Sequence, residues 1–502
     1  MPAVTKVVLV AAAAAAVAAT LSTATRAGRT QPSRPNVVVI LVDDQPALDG
    51  RLVDYMPNVQ KDFVDSGVTF SDFHSESPLC CPARAGFLTG QHSHNHKVVL
   101  NQAALFDPRM TIATQLQGIG YETDLVGKYF NAYGKIASRG VPPGWTHFTA
   151  FSEPKYYDYT LWIDGTAHSY GSTAADYSTD VVSRLAVNDI ASAAASKPLF
   201  MWIAPFGEHA PLTPAPRYSS TTQCRSIAKW DPPDWNEADV SDKPAYVQAN
   251  AVAKKGNGQN MRSNCQNGLA VDDLVGAVAN ALRQSGRLDN TIFVYSGDNG
   301  MNEGEHRLAG KTAPYVTQIP FYLSWPARLG TTPRTIGERL QNIDFAPTIC
   351  ALAGCAMGPY PNGQQTPDGL DFSPLLLGTA STLRRDAVLD EMPAQEHTGP
   401  TNPPVWYAVT TTHQSPLAGQ GCASAATGGC RWHYIEYATG ERELYDVSNG
   451  PYWQWIPGSP GDPAELNNLL GPGSTWAKSP GHASILAALQ QRLAQLKAEK
   501  GN

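Results

Sequence analysis

The sequence predicts an α/β domain built on a large, mainly parallel sheet with helices on both sides, followed by a smaller antiparallel α+β subdomain. Three observations carry this. The run Asn36-Val-Val-Val-Ile-Leu-Val42 is continuously apolar and β-branched, the pattern of a strand buried on both faces. Helix and strand patterns then alternate along most of the chain, as successive parallel-sheet units do. After Arg385 the composition shifts to short aromatic strands.

Taken in order, Thr111 to Gln117 reads as a short helix and Leu125-Val126-Gly127 as a strand or loop after it. Ser178 to Ala195 is helical, and Pro198 to Ala204 is a strand. Leu269 to Gln284 is a helix with Val271, Leu274, Val275 and Val278 on one face, followed by a strand at Thr291 to Ser296. Between Pro211 and Asn264 the periodicity breaks, which marks an irregular excursion, either a cleft wall or a passive loop. Asp344 to Gly354 is helical and runs into linkers up to Gly369. Strands are then expected at Trp406 to Thr412, Trp432 to Tyr437 and Arg442 to Tyr445, closed by a helix from Ala483 to Glu499. The domain plan is a leader over 1–27, a main α/β domain over 28–385 that includes the 211–264 excursion, and a C-terminal subdomain over 386–502.

The chain has 502 residues, 42% of them hydrophobic and 16% charged, which gives ample core and argues against disorder. A net charge of −7 with no basic run disfavours nucleic acid as a partner. Lys6 precedes an uncharged Ala- and Val-rich stretch from Val7 to Thr25, the pattern of a secretory signal peptide with cleavage after Ala24 or Ala27. No later segment approaches spanning length, so a secreted, extracellular protein without a stable membrane anchor is expected.

Two acidic clusters follow strands: Asp43-Asp44 after the first, and Asp298-Asn299 after Thr291 to Ser296. Oxygen donors at adjacent strand ends suit a hard cation, Ca²⁺ or Mg²⁺, although acids after strands are as often loop caps. Leu79-Cys80-Cys81-Pro82-Ala83-Arg84 opens a helix with a Cys pair at its start and a cation close behind. Such an N-terminus favours an anion or a nucleophile; a structural or vicinal disulfide is the other reading of the pair.

Cys80-x-Pro82-x-Arg84 followed by Leu88-Thr89-Gly90 resembles the signature of the sulfatase family, whose fold is alkaline-phosphatase-like with a large mixed sheet. The likeness continues in order through Pro35-Asn36, Asp43-Asp44-Gln45, Gly127-Lys128-Tyr129, His209, Asp298-Asn299-Gly300, Gly310-Lys311, Pro320 and Asn342 to Thr348. It ends with Asp368-Gly369, Glu443 to Asp446 and Asp462 to Leu469. Within the family the chain is most similar to the N-acetylglucosamine-6-sulfatase branch, through Cys80-Cys81-Pro82, His94-Asn95-His96, Gly127 to Gly134 and Val271 to Val275.

The resemblance implies a sulfuric ester hydrolase in which Cys80 is oxidised to formylglycine by a formylglycine-generating enzyme. It implies Ca²⁺, with Mg²⁺ as an alternative, held by Asp43, Asp44, Asp298, Asn299 and the modified Cys80. The aldehyde hydrate offers one hydroxyl to attack sulfur and a second to expel sulfate. Arg84 is expected to hold the hydrate and the metal-side carboxylates, Lys128 and Lys311 the sulfate oxygens, and His209 to protonate the leaving alcohol. His306 is a further candidate, and His94 and His96 either border the pocket or are structural. Many arylsulfatases have Lys-x-His where this chain reads Lys128-Tyr129-Phe130, with Asn131 as a possible stand-in, and Pro46 stands where the glucosamine branch places an acid.

The implied substrates are sulfated carbohydrates, N-acetylglucosamine-6-sulfate above all, and aryl sulfates as surrogates. Relatives hydrolysing phosphonates or phosphodiesters, and a non-catalytic glycan-binding role with an unmodified Cys80, are the competing readings. With Cys80 set aside as the nucleophile precursor, seven of the eight cysteines remain. Local spacing pairs Cys350 with Cys355 and Cys422 with Cys430, leaves Cys224 with Cys265, and makes Cys81 a buried thiol beside the site.

Overall fold

A computed structural model of the chain describes residues 34–45, 52–229, 232–252, 258–422, 430–449 and 460–501. The expected signal segment and Pro46 lie outside the described residues. From Arg34 onward the chain forms one compact unit.

Its frame is a ten-stranded sheet. In chain order the strands are β1 (Asn36–Val42), β2 (Val68–Phe70), β3 (Glu122–Gly127), β4 (His147–Phe151), β5 (Tyr159–Ile163), β6 (Thr166–Tyr170), β7 (Leu199–Ala204), β8 (Thr291–Gly297), β9 (Phe321–Ser324) and β10 (Arg334–Ile336). Across the sheet they run β10-β2-β9-β8-β1-β7-β3-β4-β5-β6. The middle, β8-β1-β7-β3-β4, is parallel, while β9, β5 and β6 add antiparallel pairings toward the edges. The sheet is therefore mixed, as the family resemblance implied.

β1 sits at the centre, and every one of its residues is buried. Val37, Val39 and Leu41 enter the core on one face, and Val38, Ile40 and Val42 enter the core on the other. This two-faced burial is why the strand reads as an unbroken apolar run, each side chain contributing about 1.5–3 kcal/mol of transfer free energy. The first face is covered by α1 (Cys80–Thr89), α2 (Ile112–Gly118) and α5 (Phe345–Ala353), through Phe87, Leu88, Ile112, Leu116, Phe345 and Ile349. The second is covered by α3 (Ser178–Ser192) and α4 (Gly258–Gln284), through Val181, Val182, Val271, Leu274, Val275 and Val278.

α4 begins well before the Leu269 expected from its apolar stripe, so the end of the 211–264 excursion is helical. Its first turns are polar, and Cys265 on them is disulfide-bonded to Cys224. Cys350–Cys355 and Cys422–Cys430 are bonded as spacing predicts, and Cys80 and Cys81 are free and buried.

The C-terminal sheet has four antiparallel strands, β11 (Ala387–Met392), β12 (Trp406–Thr411), β13 (Trp432–Tyr437) and β14 (Arg442–Asp446). β11 was not expected from sequence, because Asp390 and Glu391 interrupt its apolar pattern; both are buried. One face of this sheet packs Leu389, Val409, Trp432 and Tyr434 on α6 (Pro480–Leu496). The other packs Trp406, Ala408 and Ile435 against Val240, Tyr246, Leu308 and Ala313.

Asp72, just after β2, joins this sheet to the main one. It pairs with Arg431 at 2.6 Å and Arg339 at 3.0 Å, and with His74 at 2.9 Å. Burial alone would raise the Asp72 carboxyl, but the two guanidinium groups and His74 outweigh it and hold the group well below the usual carboxylate range. The stabilisation is fully present above the unfolded pKa near 4 and is lost as pH falls through the folded value. Asp72→Asn is expected to cost about 3–5 kcal/mol at pH 7 in urea unfolding, and its gap to the parent should narrow below about pH 4.

Candidate active site

β1 and β8 end side by side, so the residues that follow them meet. Asp298 donates its backbone N–H to the carbonyl of Val42 at 2.9 Å, and Asp44 donates its own to Asp298 Oδ1 at 3.0 Å. Asp44 has φ +57°, which turns the chain sharply out of the strand. The Asn299 amide donates to Asp44 Oδ1 at 2.8 Å, while Asn299 Oδ1 is buried without a hydrogen-bond partner. The two acidic pairs of the sequence are thus one cluster, entirely buried.

Cys80 opens α1 beneath them. Its sulfur lies 3.4 Å from Asp43 Oδ1 and 3.6 Å from Asp44 Oδ1, and Lys311 Nζ approaches it at 2.7 Å. Every residue of α1 is buried, and Gly90 closes the helix in the left-handed conformation at φ +72°. Arg84, one turn on, donates from Nε to Asp298 Oδ2 at 2.8 Å and from Nη1 to the Lys128 carbonyl at 2.8 Å, with Nη2 3.8 Å from Asp43.

Lys128 follows β3 and donates to Asp43 Oδ2 at 2.6 Å. Gly127 makes this approach possible: at φ +120°, a Cβ there would lie 2.0 Å from the Ala204 carbonyl oxygen. Lys311 donates to Asp44 Oδ1 at 2.5 Å. It is framed by Leu308 and Ala313, which pack on the C-terminal sheet, and by Trp406, whose indole N–H donates to the Thr312 carbonyl at 2.8 Å. His209 Nε2 lies 3.4 Å from Asp44 Oδ2. All nine residues singled out from sequence, Asp43, Asp44, Cys80, Arg84, Lys128, His209, Asp298, Asn299 and Lys311, are therefore brought together.

The electrostatics are those of a buried, balanced cluster. Burial would raise Asp43, but Lys128, His209 and Arg84 outweigh it and bring the carboxyl down to about 2. Asp44 is lowered in the same way, chiefly by Lys311 against burial. Burial disfavours charge on Lys128 and Lys311 too, yet Asp43 and Asp44 raise both above the usual lysine value. Burial pushes the Cys80 thiol well above its ordinary value, only partly offset by the two lysines. The unmodified thiol is therefore protonated and a weak nucleophile.

The oxygens of Asp43, Asp44 and Asn299 suit a hard divalent cation, whereas the Cys80 sulfur and the His209 ring nitrogen are not donors such an ion prefers. One ligand atom from each of Asp43, Asp44, Cys80 and His209 lies within 4.8 Å of the others, and the unpartnered Asn299 Oδ1 adds an oxygen beside them.

Other sequence candidates lie elsewhere. His306 is buried against Glu237 at 2.7 Å and Asp234 at 3.7 Å, its ring on Tyr315. Asn131 engages Cys81, its backbone N–H 3.2 Å from the sulfur. His94 and His96 pair with Glu391 and Glu76. Three supporting residues were given no role from sequence. The Tyr156 hydroxyl donates to the His209 carbonyl at 2.8 Å, and Gln45 donates to Glu208 at 3.2 Å, fixing the segment that carries His209. Glu208 and Gln45 adjoin the motifs, whereas nothing near Tyr156 in the sequence marks it.

The family profile described as Sulfatase matches residues 35–355. The N-acetylglucosamine-6-sulfatase of Capra hircus is 32% identical over 395 residues, covering 74% of this chain and 69% of that one. An arylsulfatase of Volvox carteri is 29% identical over 469 residues, covering 83% and 70%. Among solved structures, an enzyme in complex with its substrate D-glucosamine-2-N,6-O-disulfate superposes with a TM-score of 0.68 at 21% identity, covering 93% of this chain and 98% of that one, a likeness of fold.

Lys128→Met leaves Asp43 buried without its closest cation and is expected to cost about 3–5 kcal/mol in denaturant unfolding. Adding Asp43→Asn should recover part of that loss, since the stranded charge is removed; strictly additive costs would contradict the pairing.

Proposed function

Because this chain belongs to the sulfatase family and is a sulfuric ester hydrolase, we propose that it removes sulfate from carbohydrates, N-acetylglucosamine-6-sulfate-type esters in particular, after export from the cell. The observation that carries the reading is the burial of Cys80 at a helix N-terminus, between two carboxylates and Lys311, where a thiol is unreactive. Conversion of Cys80 to formylglycine by a formylglycine-generating enzyme removes that obstacle. The hydrated aldehyde supplies two geminal hydroxyls, one for attack at sulfur and one for sulfate release.

Asp43, Asp44, Asp298 and Asn299 would hold Ca²⁺ with an oxygen of residue 80, in keeping with an all-oxygen donor set. When bound, the ion supplies positive charge and Lewis acidity. The charges of Asp43, Asp44 and Asp298 are balanced by those of Arg84, Lys128 and Lys311. The ion's own charge is thus left over to attract a sulfate ester monoanion.

Arg84 anchors the carboxylates and the backbone at Lys128, which fixes the floor of the site. Lys128 and Lys311 would exchange carboxylate contacts for sulfate oxygens, and such fixed cations stabilise charge that builds on the leaving oxygen. His209, partly exposed at 24% of its side chain and held through its carbonyl by Tyr156, is the group from which the leaving alcohol takes its proton.

Secretion rests on the Lys6 to Thr25 pattern and on three disulfides, which persist in oxidising compartments. No helix among the described residues is long and apolar enough to cross a membrane. The catalytic domain is assigned to 28–385 and the C-terminal subdomain to 386–502, with the 211–264 excursion and the C-terminal sheet walling the sugar.

Peptide mass analysis of protein co-expressed with the modifying enzyme should find an aldehyde at position 80 together with sulfate release from N-acetylglucosamine-6-sulfate. A full thiol with undiminished release would refute the chemistry. His209→Ala should lower kcat by about 10²-fold or more on sugar sulfates, whose alkoxide leaving groups need a proton, and much less on nitrophenyl sulfate. Equal losses on both would remove His209 from the acid role.

A further inference from the structure

A second group of ligating side chains lies outside this cluster. Glu76, four residues before Cys80, and Glu391, on β11, are both fully buried. Glu391 donates its backbone N–H to the Glu76 carbonyl at 2.8 Å, so the two segments are in register. One ligand atom from each of Glu76, His92 and Glu391 lies within 4.8 Å of the other two.

Two buried carboxylates at this separation require a positive charge or a shared proton. Among the described residues one histidine, His94, pairs with Glu391 at 3.0 Å, while the His96 ring faces Glu76 at 3.7 Å. Independently, two ring nitrogens meet no hydrogen-bond partner: His92 Nδ1 and His96 Nε2, in residues 7% and 8% exposed. His96 accepts the Val98 N–H at Nδ1, so its neutral ring carries the proton on Nε2, the nitrogen facing Glu76. That leaves the His92 ring, stacked on His94, as the uncommitted lone-pair donor of the group.

We propose that Glu76, His92 and Glu391 form a second metal site, for a divalent first-row transition ion of the Zn²⁺ kind. One imidazole and two carboxylates make a borderline donor set, unlike the all-oxygen set beside Cys80, and the two sites select different ions. His94 braces Glu391 through both its backbone N–H, at 2.7 Å, and its ring. Ser93 braces Glu76 with its hydroxyl at 3.1 Å. The ion would fasten three pieces together: the approach to the nucleophile helix, the loop after it, and the first strand of the C-terminal sheet. Its role is structural, and it does not depend on Cys80 being oxidised.

Full-length protein, stripped with a chelator, is incubated with excess Ca²⁺ and one equivalent of Zn²⁺, desalted, and its metals are measured. Retention of Zn²⁺ at one per chain, with a rise in Tm, is expected for the parent and for Asp44→Asn. His92→Ala and Glu76→Gln should weaken Zn²⁺ by more than about tenfold. Crystals of the parent soaked in Zn²⁺ should show anomalous scattering between the three side chains, a readout that survives if the variants fail to fold. A parent that retains no Zn²⁺, or a folded His92→Ala protein that retains all of it, overturns the proposal. None of these outcomes bears on sulfate release.

Discussion

Three carboxylates buried at the ends of two adjacent parallel strands set the terms for the rest of this molecule. Asp43, Asp44 and Asp298 are out of water, and charge in such a place persists only when it is paired. Each cation that answers them arrives from a different part of the fold: Arg84 from α1, Lys128 from the end of β3, Lys311 from the segment beyond β8. The sheet must hold β1, β7, β3 and β8 in their order for these groups to meet. The site is thus a consequence of topology, at the carboxyl ends of parallel strands where α/β sheets gather ligands.

The C-terminal sheet belongs to this same arrangement. Its Trp406 holds the backbone at Thr312, next to Lys311, and its Leu389 and Val409 rest on α6. On its other side Asp72, Arg339 and Arg431 lock it to the β2 edge of the main sheet. A segment more than 90 residues away in sequence therefore fixes the backbone beside Lys311.

What the sequence made legible follows from how local each signal is. β1 was readable because both its faces are buried, which forces an apolar run. The cysteine pairs were readable because two of them close short loops. The site was readable because its residues stand in ordered motifs, and the structure then brought them together. β11 was not readable, since Asp390 and Glu391 are polar residues made acceptable only by partners far away, Gln341, His94 and the Glu76 backbone. The start of α4 was hidden for a related reason: its first turns are held by the Cys224–Cys265 bond and have little apolar stripe. Tyr156 and Asp72 carry no local mark because their roles exist only across the folded chain.

The complete burial of α1 bears on the order of events in the protein's biogenesis. Cys80 is 0% exposed, and so is Arg84 behind it. A modifying enzyme must surround the thiol and several flanking residues to oxidise it, and the folded protein gives no room for that. The oxidation proposed at Cys80 therefore belongs to the newly made, still extended chain, and folding afterwards seals the product in. Speed of folding and completeness of that oxidation would then be in competition, and a chain that folds too early would keep its thiol sealed in.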